Sequence, residues 1–215
     1  MFDAVILDVD GVLTDSEPLH LEATNQVLSL FDASLSEEGC KAYLGMDERS
    51  FWLAMIERFH LKESPEALGE KRIHAAVNLI REGIVPMPGV PEFVSGLLMR
   101  GYPIAAASSS SRPVVETILT ELGLRRSFKV VISGDQVACG KPEPEIFLMA
   151  ARTLNGDPKQ CMVVEDSPKG ITAARRADMF IVAVQNRYNL NLDLSQADRI
   201  FSGLDHFDWS LLDDL

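Results

Sequence analysis

Short apolar runs that each break into a polar cluster constrain this chain more than any other feature. Ala4-Val5-Ile6-Leu7 runs into Asp8-Val9-Asp10-Gly11, and Ile104-Ala105-Ala106-Ala107 into Ser108-Ser109-Ser110-Ser111. Cys161-Met162-Val163-Val164 runs into Glu165-Asp166-Ser167, and a short strand-like segment into Gly140-Lys141-Pro142. Runs this short suit buried strands better than helices. After Met87-Pro88-Gly89 they alternate with helical patterns. Helices are expected over Val90–Arg100, Arg112–Leu122, Pro144–Leu154 and Lys169–Ala177. Strands are expected over Pro103–Ala107, Phe128–Ile132, Gln160–Val164 and Met179–Val184. Such alternation predicts an α/β fold, a Rossmann-like doubly wound parallel sheet with helices on both faces. Ligands collect at the carboxyl ends of such strands. Asp8, Ser108, Lys141 and Asp166 are therefore expected along one edge.

Between the first strand and that alternation lies a stretch with helical signals and no convincing strand. Ser16 is an expected N-cap with Glu17 and Pro18 in the first turn, and Ser36 starts another helix. Phe51, Met55 and Phe59 recur every fourth residue, with Trp52 and Ile56 on a neighbouring stripe. Pro65 opens a long pattern that Gly83 stops. The domain division follows: an α/β core of residues 1–15 and 86–215, and an inserted helical domain of residues 16–85.

Asp8 and Asp10 lie two residues apart, so strand periodicity turns both to one side. Acids that close repel unless a cation or a shared proton relieves them, and a magnesium ion with its hard oxygen ligands would do so. An acidic turn after a strand is the purely structural alternative. Glu165-Asp166-Ser167 likewise reads as a metal-facing pair, as a capped helix start, or as both. The Ser108–Ser111 run reads as a phosphate contact or as a polar loop with Ser111 as cap. Lys141 precedes a proline, which keeps it out of the helical region and extended; a cis Lys141–Pro142 bond is compatible with that.

With 215 residues, 47% of them hydrophobic, the chain can bury a sizeable core. A net charge of −12 argues against nucleic acid or an anionic membrane as partner. Cys40, Cys139 and Cys161 form neither a CxxC nor a disulfide framework. No signal peptide or membrane span is read. A cytoplasmic protein is expected, with a monomer as the working assumption.

Taken together, the motifs resemble those of the haloacid-dehalogenase (HAD) superfamily of phosphotransferases over essentially the whole chain. Its four motifs correspond here to Asp8-Val9-Asp10-Gly11-Val12, Ser108, Lys141-Pro142 and Glu165-Asp166, and residues 16–85 resemble its small α-helical cap. Thr14-Asp15-Ser16-Glu17-Pro18-Leu19-His20 and Gly140-Lys141-Pro142-Glu143-Pro144 are similar to the β-phosphoglucomutase and phosphoglycolate-phosphatase-like branch.

The resemblance implies that Asp8 is the nucleophile that forms an aspartyl-phosphate, and Asp10 the general acid and then base. It implies magnesium on the Asp8 side chain, the Asp10 carbonyl and Asp166, with Glu165 close by. Ser108, helped by backbone near Ser109, and Lys141 would hold the phosphoryl group. His20, Gly45, Arg49 and Arg112 are the candidates for substrate selection, although His20 and Arg49 can equally be ordinary helix-surface residues. Leu44 stands where the mutases have a lysine, and Arg112 where they have a smaller amide. The expectation is a magnesium-dependent phosphatase of a small phosphorylated metabolite, such as a sugar phosphate. The alternatives are a β-phosphoglucomutase-like mutase and a non-catalytic phosphometabolite-binding module.

Overall fold

The computed structural model describes residues 2–41, 43 and 48–213. In chain order it begins with β1 (Ala4–Leu7), followed by helices α1 (Glu17–Ser29), α2 (Glu37–Lys41), α3 (Glu48–Phe59) and α4 (Pro65–Glu82). There follow α5 (Val90–Met99), β2 (Ile104–Ser108), α6 (Arg112–Glu121), β3 (Val130–Ser133) and α7 (Glu145–Leu154). The chain closes with β4 (Cys161–Glu165), α8 (Pro168–Arg176), β5 (Phe180–Val184), β6 (Arg199–Phe201) and the short α9 (Ser210–Asp213). It divides into two compact units, Met1–Asp15 with Ile84–Leu215, and Ser16–Gly83.

In the first unit six parallel strands stand in the order β3-β2-β1-β4-β5-β6. The order reverses direction between β1 and β4, which makes their carboxyl ends the topological switch point where ligands of such sheets sit. Ala4, Ile6, Ala105, Ala107, Cys161, Val163, Ile181 and Ala183 share a core with Phe147, Ala150 and Ala151 of α7 and Ile171, Ala173 and Ala174 of α8. The alternate strand residues Val5, Leu7, Met162, Val164 and Val182 are equally buried. Both faces are covered, which is why these strands read as continuous apolar runs.

The second unit has its own core of Val27, Leu28, Leu35, Trp52, Met55, Leu61 and Leu68. On α3 the fully buried residues are Trp52 and Met55, while Phe51 and Phe59 pack at the rim. Ser64 caps α4 by accepting from Ala67 N–H, and Ser36 accepts from Gly39 N–H at the start of α2. Ser16 precedes α1 without any side-chain cap.

The structure departs from the sequence reading at further local points. The segment before Gly140 is irregular, so Lys141 stands on a long loop after β3 instead of at a strand end. Ser111 makes no capping bond to α6. Strand β6 has no counterpart in the sequence reading, because three largely exposed residues at a sheet edge carry no periodic signal. Thr14 Oγ1 donates to Val85 O (2.8 Å) and Met87 N to Leu13 O (2.9 Å), which fastens the returning segment beside residues 13 and 14. Among the described residues no helix is long and apolar enough to cross a membrane.

Candidate active site

The carboxyl end of β1 delivers Asp8, which is 5% exposed, and a tight turn follows. Leu13 and Thr14 N–H both donate to Val9 O, and Gly11 N–H donates to Thr14 O (2.8 Å). Gly11 adopts φ +80°, and a β carbon there would lie 2.2 Å from Asp166 Oδ2. Only a glycine lets the turn after β1 approach the end of β4 this closely.

Lys141 Nζ is the centre of the site. It donates to Asp8 Oδ1 (2.5 Å), Glu165 Oε1 (2.7 Å) and Ala107 O (3.2 Å), and sits 4.8 Å from the centre of the Phe147 ring. The Lys141–Pro142 peptide is cis. Burial works against the ammonium charge, but Asp8 and Glu165 more than offset it and hold the lysine above its ordinary range.

Glu165, the last residue of β4, is fully occupied. Its Oε2 accepts from Asp166 N (2.7 Å), Ser167 N (2.7 Å) and Ser167 Oγ (3.0 Å), while Oε1 holds Lys141. The carboxylate thus anchors the lysine and the backbone turn into α8. Asp10 Oδ2 accepts from Ser108 Oγ (3.0 Å) and Ser110 Oγ (2.8 Å), and Ser108 Oγ accepts from Ser110 N (3.0 Å). The Ser108 hydroxyl is therefore turned to Asp10 in this state.

Burial raises the Asp8 carboxyl well above its usual range, with Glu165, Asp10 and Asp166 adding to the rise and Lys141 opposing it. Burial and the neighbouring Glu165 push Asp166 up to about 8, against the pull of Asn186 and Lys141. The cluster is short of positive charge, and its atoms are hard oxygens. Among the described residues no three acidic, His or Cys side chains form a ready-made cage. Two carboxylates, a carbonyl, waters and a phosphate oxygen are the usual environment of magnesium, so the residues present fit that ion.

Asp8, Asp10, Ser108, Lys141, Glu165 and Asp166 are thus gathered at the switch point. Ser109 is exposed on the adjoining loop. Its carbonyl passes so near Gly134 that a β carbon there would lie 2.1 Å away. Arg112 spends its guanidinium on Gln136 Oε1 (3.2 Å) and Glu116 Oε1 (3.0 Å), at the surface. His20 on α1 and Arg49 on α3 belong to the helical unit, where Arg49 pairs with Glu66 at 3.2 Å. Gly45, like Leu44, lies outside the described residues.

Sequence reasoning passed over Ser110, Gly170, Asn186 and Asn189. Ser110 shares the side of Ser108 by period two. Asn186 lies two residues past the apolar run that ends at Val184, so attention to the polar residues after each run could have found it.

A family model described as haloacid dehalogenase-like hydrolase matches residues 2–178. A phosphorylated carbohydrates phosphatase of Thermotoga maritima is 35% identical over 176 residues, covering 81% of each chain. The Escherichia coli fructose-1-phosphate phosphatase YqaB is 32% identical over 184 residues, 86% of this chain and 97% of its own. The crystal structure of CbbY from Rhodobacter sphaeroides in complex with phosphate aligns with a TM-score of 0.87 at 27% identity, covering 95% of this chain and 96% of that one.

Proposed function

The chain belongs to the haloacid dehalogenase-like hydrolases, and we propose that it is a magnesium-dependent phosphatase of small phosphorylated carbohydrates. The observation that carries this reading is the convergence of Asp8 and Asp166, from neighbouring strand ends, on a site anchored by Lys141. The substrate class is supported by the two phosphatases similar to this chain, both named for carbohydrate phosphates.

Asp8 attacks phosphorus, and the phosphoryl group passes to its carboxylate as the bond to the sugar oxygen breaks. Asp10 gives its proton to the leaving oxygen, then takes one from the water that cleaves the acyl-phosphate. The Ser108 and Ser110 hydroxyls both donate to its Oδ2 and so fix the direction in which the carboxyl faces. Lys141 keeps Asp8 in position and balances charge on the transferring group. Magnesium, held by the Asp8 side chain, the Asp10 carbonyl and Asp166, would supply the remaining positive charge on the phosphoryl oxygens.

The test is a phosphate-release screen over sugar phosphates, phosphoglycolate and nucleotides, with and without magnesium. Release from sugar phosphates only with magnesium is expected, and Asp8→Asn abolishes it while circular dichroism stays unchanged. Conversion of β-glucose 1-phosphate to glucose 6-phosphate in place of free phosphate would overturn the hydrolase reading in favour of a mutase.

A further inference from the structure

The loop after β5 carries two buried asparagines, Asn186 and Asn189, 8% and 2% exposed. Asn186 Nδ2 donates to Asp166 Oδ2 (2.7 Å) and to Gly11 O (3.1 Å), while Asn186 Oδ1 accepts from Tyr188 N (2.9 Å). Its partners set the orientation of the amide: two acceptors face the nitrogen and one donor faces the oxygen. Asn189 Nδ2 donates to Asp166 O (2.8 Å) and Val184 O (2.9 Å), and Asn189 Oδ1 accepts from Asn186 N (2.9 Å). All four amide hydrogens are used. A fully satisfied buried network of this kind is rigid.

What the network grips is specific. Asn186 joins one oxygen of Asp166 to the carbonyl of Gly11, the residue that follows Asp10, across 20 and 175 positions of sequence. Gly11 N–H is already tied to Thr14 O, so the turn beyond Asp10 is held from both of its sides. The choice of an amide matters. A lysine or arginine here would cancel the charge of Asp166 and compete with a cation, whereas an amide directs the carboxylate and leaves that charge intact.

On the reading of the site as magnesium-dependent, we propose that Asn186 is a positioning residue for the metal. It commits Asp166 Oδ2 to the protein, leaves the other oxygen free for magnesium, and fixes the Asp10–Gly11 turn against the same carboxylate.

Calorimetric titration of the full chain with magnesium chloride, without substrate, tests this. Asn186→Ala is expected to weaken magnesium binding about ten- to hundredfold, the range seen when a ligand loses its supporting hydrogen bond. With p-nitrophenyl phosphate, saturating magnesium should restore kcat to within a few-fold, with KM little changed. Asn25→Ala serves as the control for a merely structural asparagine. Asn25 bonds Leu35 through both O (2.9 Å) and N (2.7 Å) in the helical unit, and its loss should lower thermal stability with magnesium affinity unchanged. If Asn186→Ala does not fold, Asn186→Ser keeps a donor in the loop but is too short for both acceptors, and a fall of at least tenfold is expected. Affinity within twofold of the native chain in the folded variant overturns the inference alone. Absence of magnesium binding by the native chain overturns the reading beneath it as well.

Discussion

A β carbon on Gly170 would lie 1.6 Å from Glu165 Oε1. The first turn of α8 is therefore built around the carboxylate that ends β4, and the bare Cα of Gly170 is what allows Glu165 to fold back over the helix start. Glu165 in turn holds Lys141 and, through it, Asp8. Gly170→Ala should cost about 1–3 kcal/mol, as overpacking of a close contact does. It should also lower phosphate release, because the lysine loses its second anchor. Denaturant unfolding and steady-state kinetics on the same preparation check both effects.

Lys141 is buried between two carboxylates, so removing it leaves charge without a partner. Lys141→Met should destabilise the protein by about 3–5 kcal/mol, the usual cost of breaking a buried pair from one side. Activity should fall below detection. A urea midpoint close to that of the native chain would show that the carboxylates find protons or water at little cost.

Asp10 and its two hydroxyl partners make a graded prediction. Asp10→Asn removes the proton shuttle and should lower kcat by about a hundredfold or more. Ser110→Ala leaves Ser108 Oγ on the same oxygen, so a loss of about tenfold or less is expected, the net worth of one ordinary hydrogen bond. Equal losses in the two variants would mean that Ser110 does more than orient Asp10.

The cysteines should separate by reactivity. Burial pushes the Cys161 thiol up to about 11, with Asp3 and Asp157 adding to the rise, whereas Cys139 is exposed. A raised pKa means less thiolate, so at pH 8 about one Cys161 in a thousand is ionised, and it is shielded as well. Iodoacetamide at pH 8 should label Cys139 in the native protein and Cys161 only after denaturation, as peptide mapping by mass spectrometry would read.

Local pattern was enough to locate most strands and helices of the core, because strands buried on both faces must be apolar throughout and helices must keep one apolar stripe. It also marked Asp8, Asp10, Ser108, Lys141 and Asp166, since polar residues directly after a buried run, or beside a proline, stand out against their neighbours. Folding decided who meets whom. The pairing of β1 with β4 brings Asp166 beside Gly11, and the loop after β5 lays Asn186 over both. It also decided that Glu165 spends its oxygens on Lys141 and the start of α8, and that Arg112 is taken up by Glu116 and Gln136. Sequence periodicity says which face a side chain takes, but the atoms it meets there depend on strand order and on loops that arrive from far along the chain.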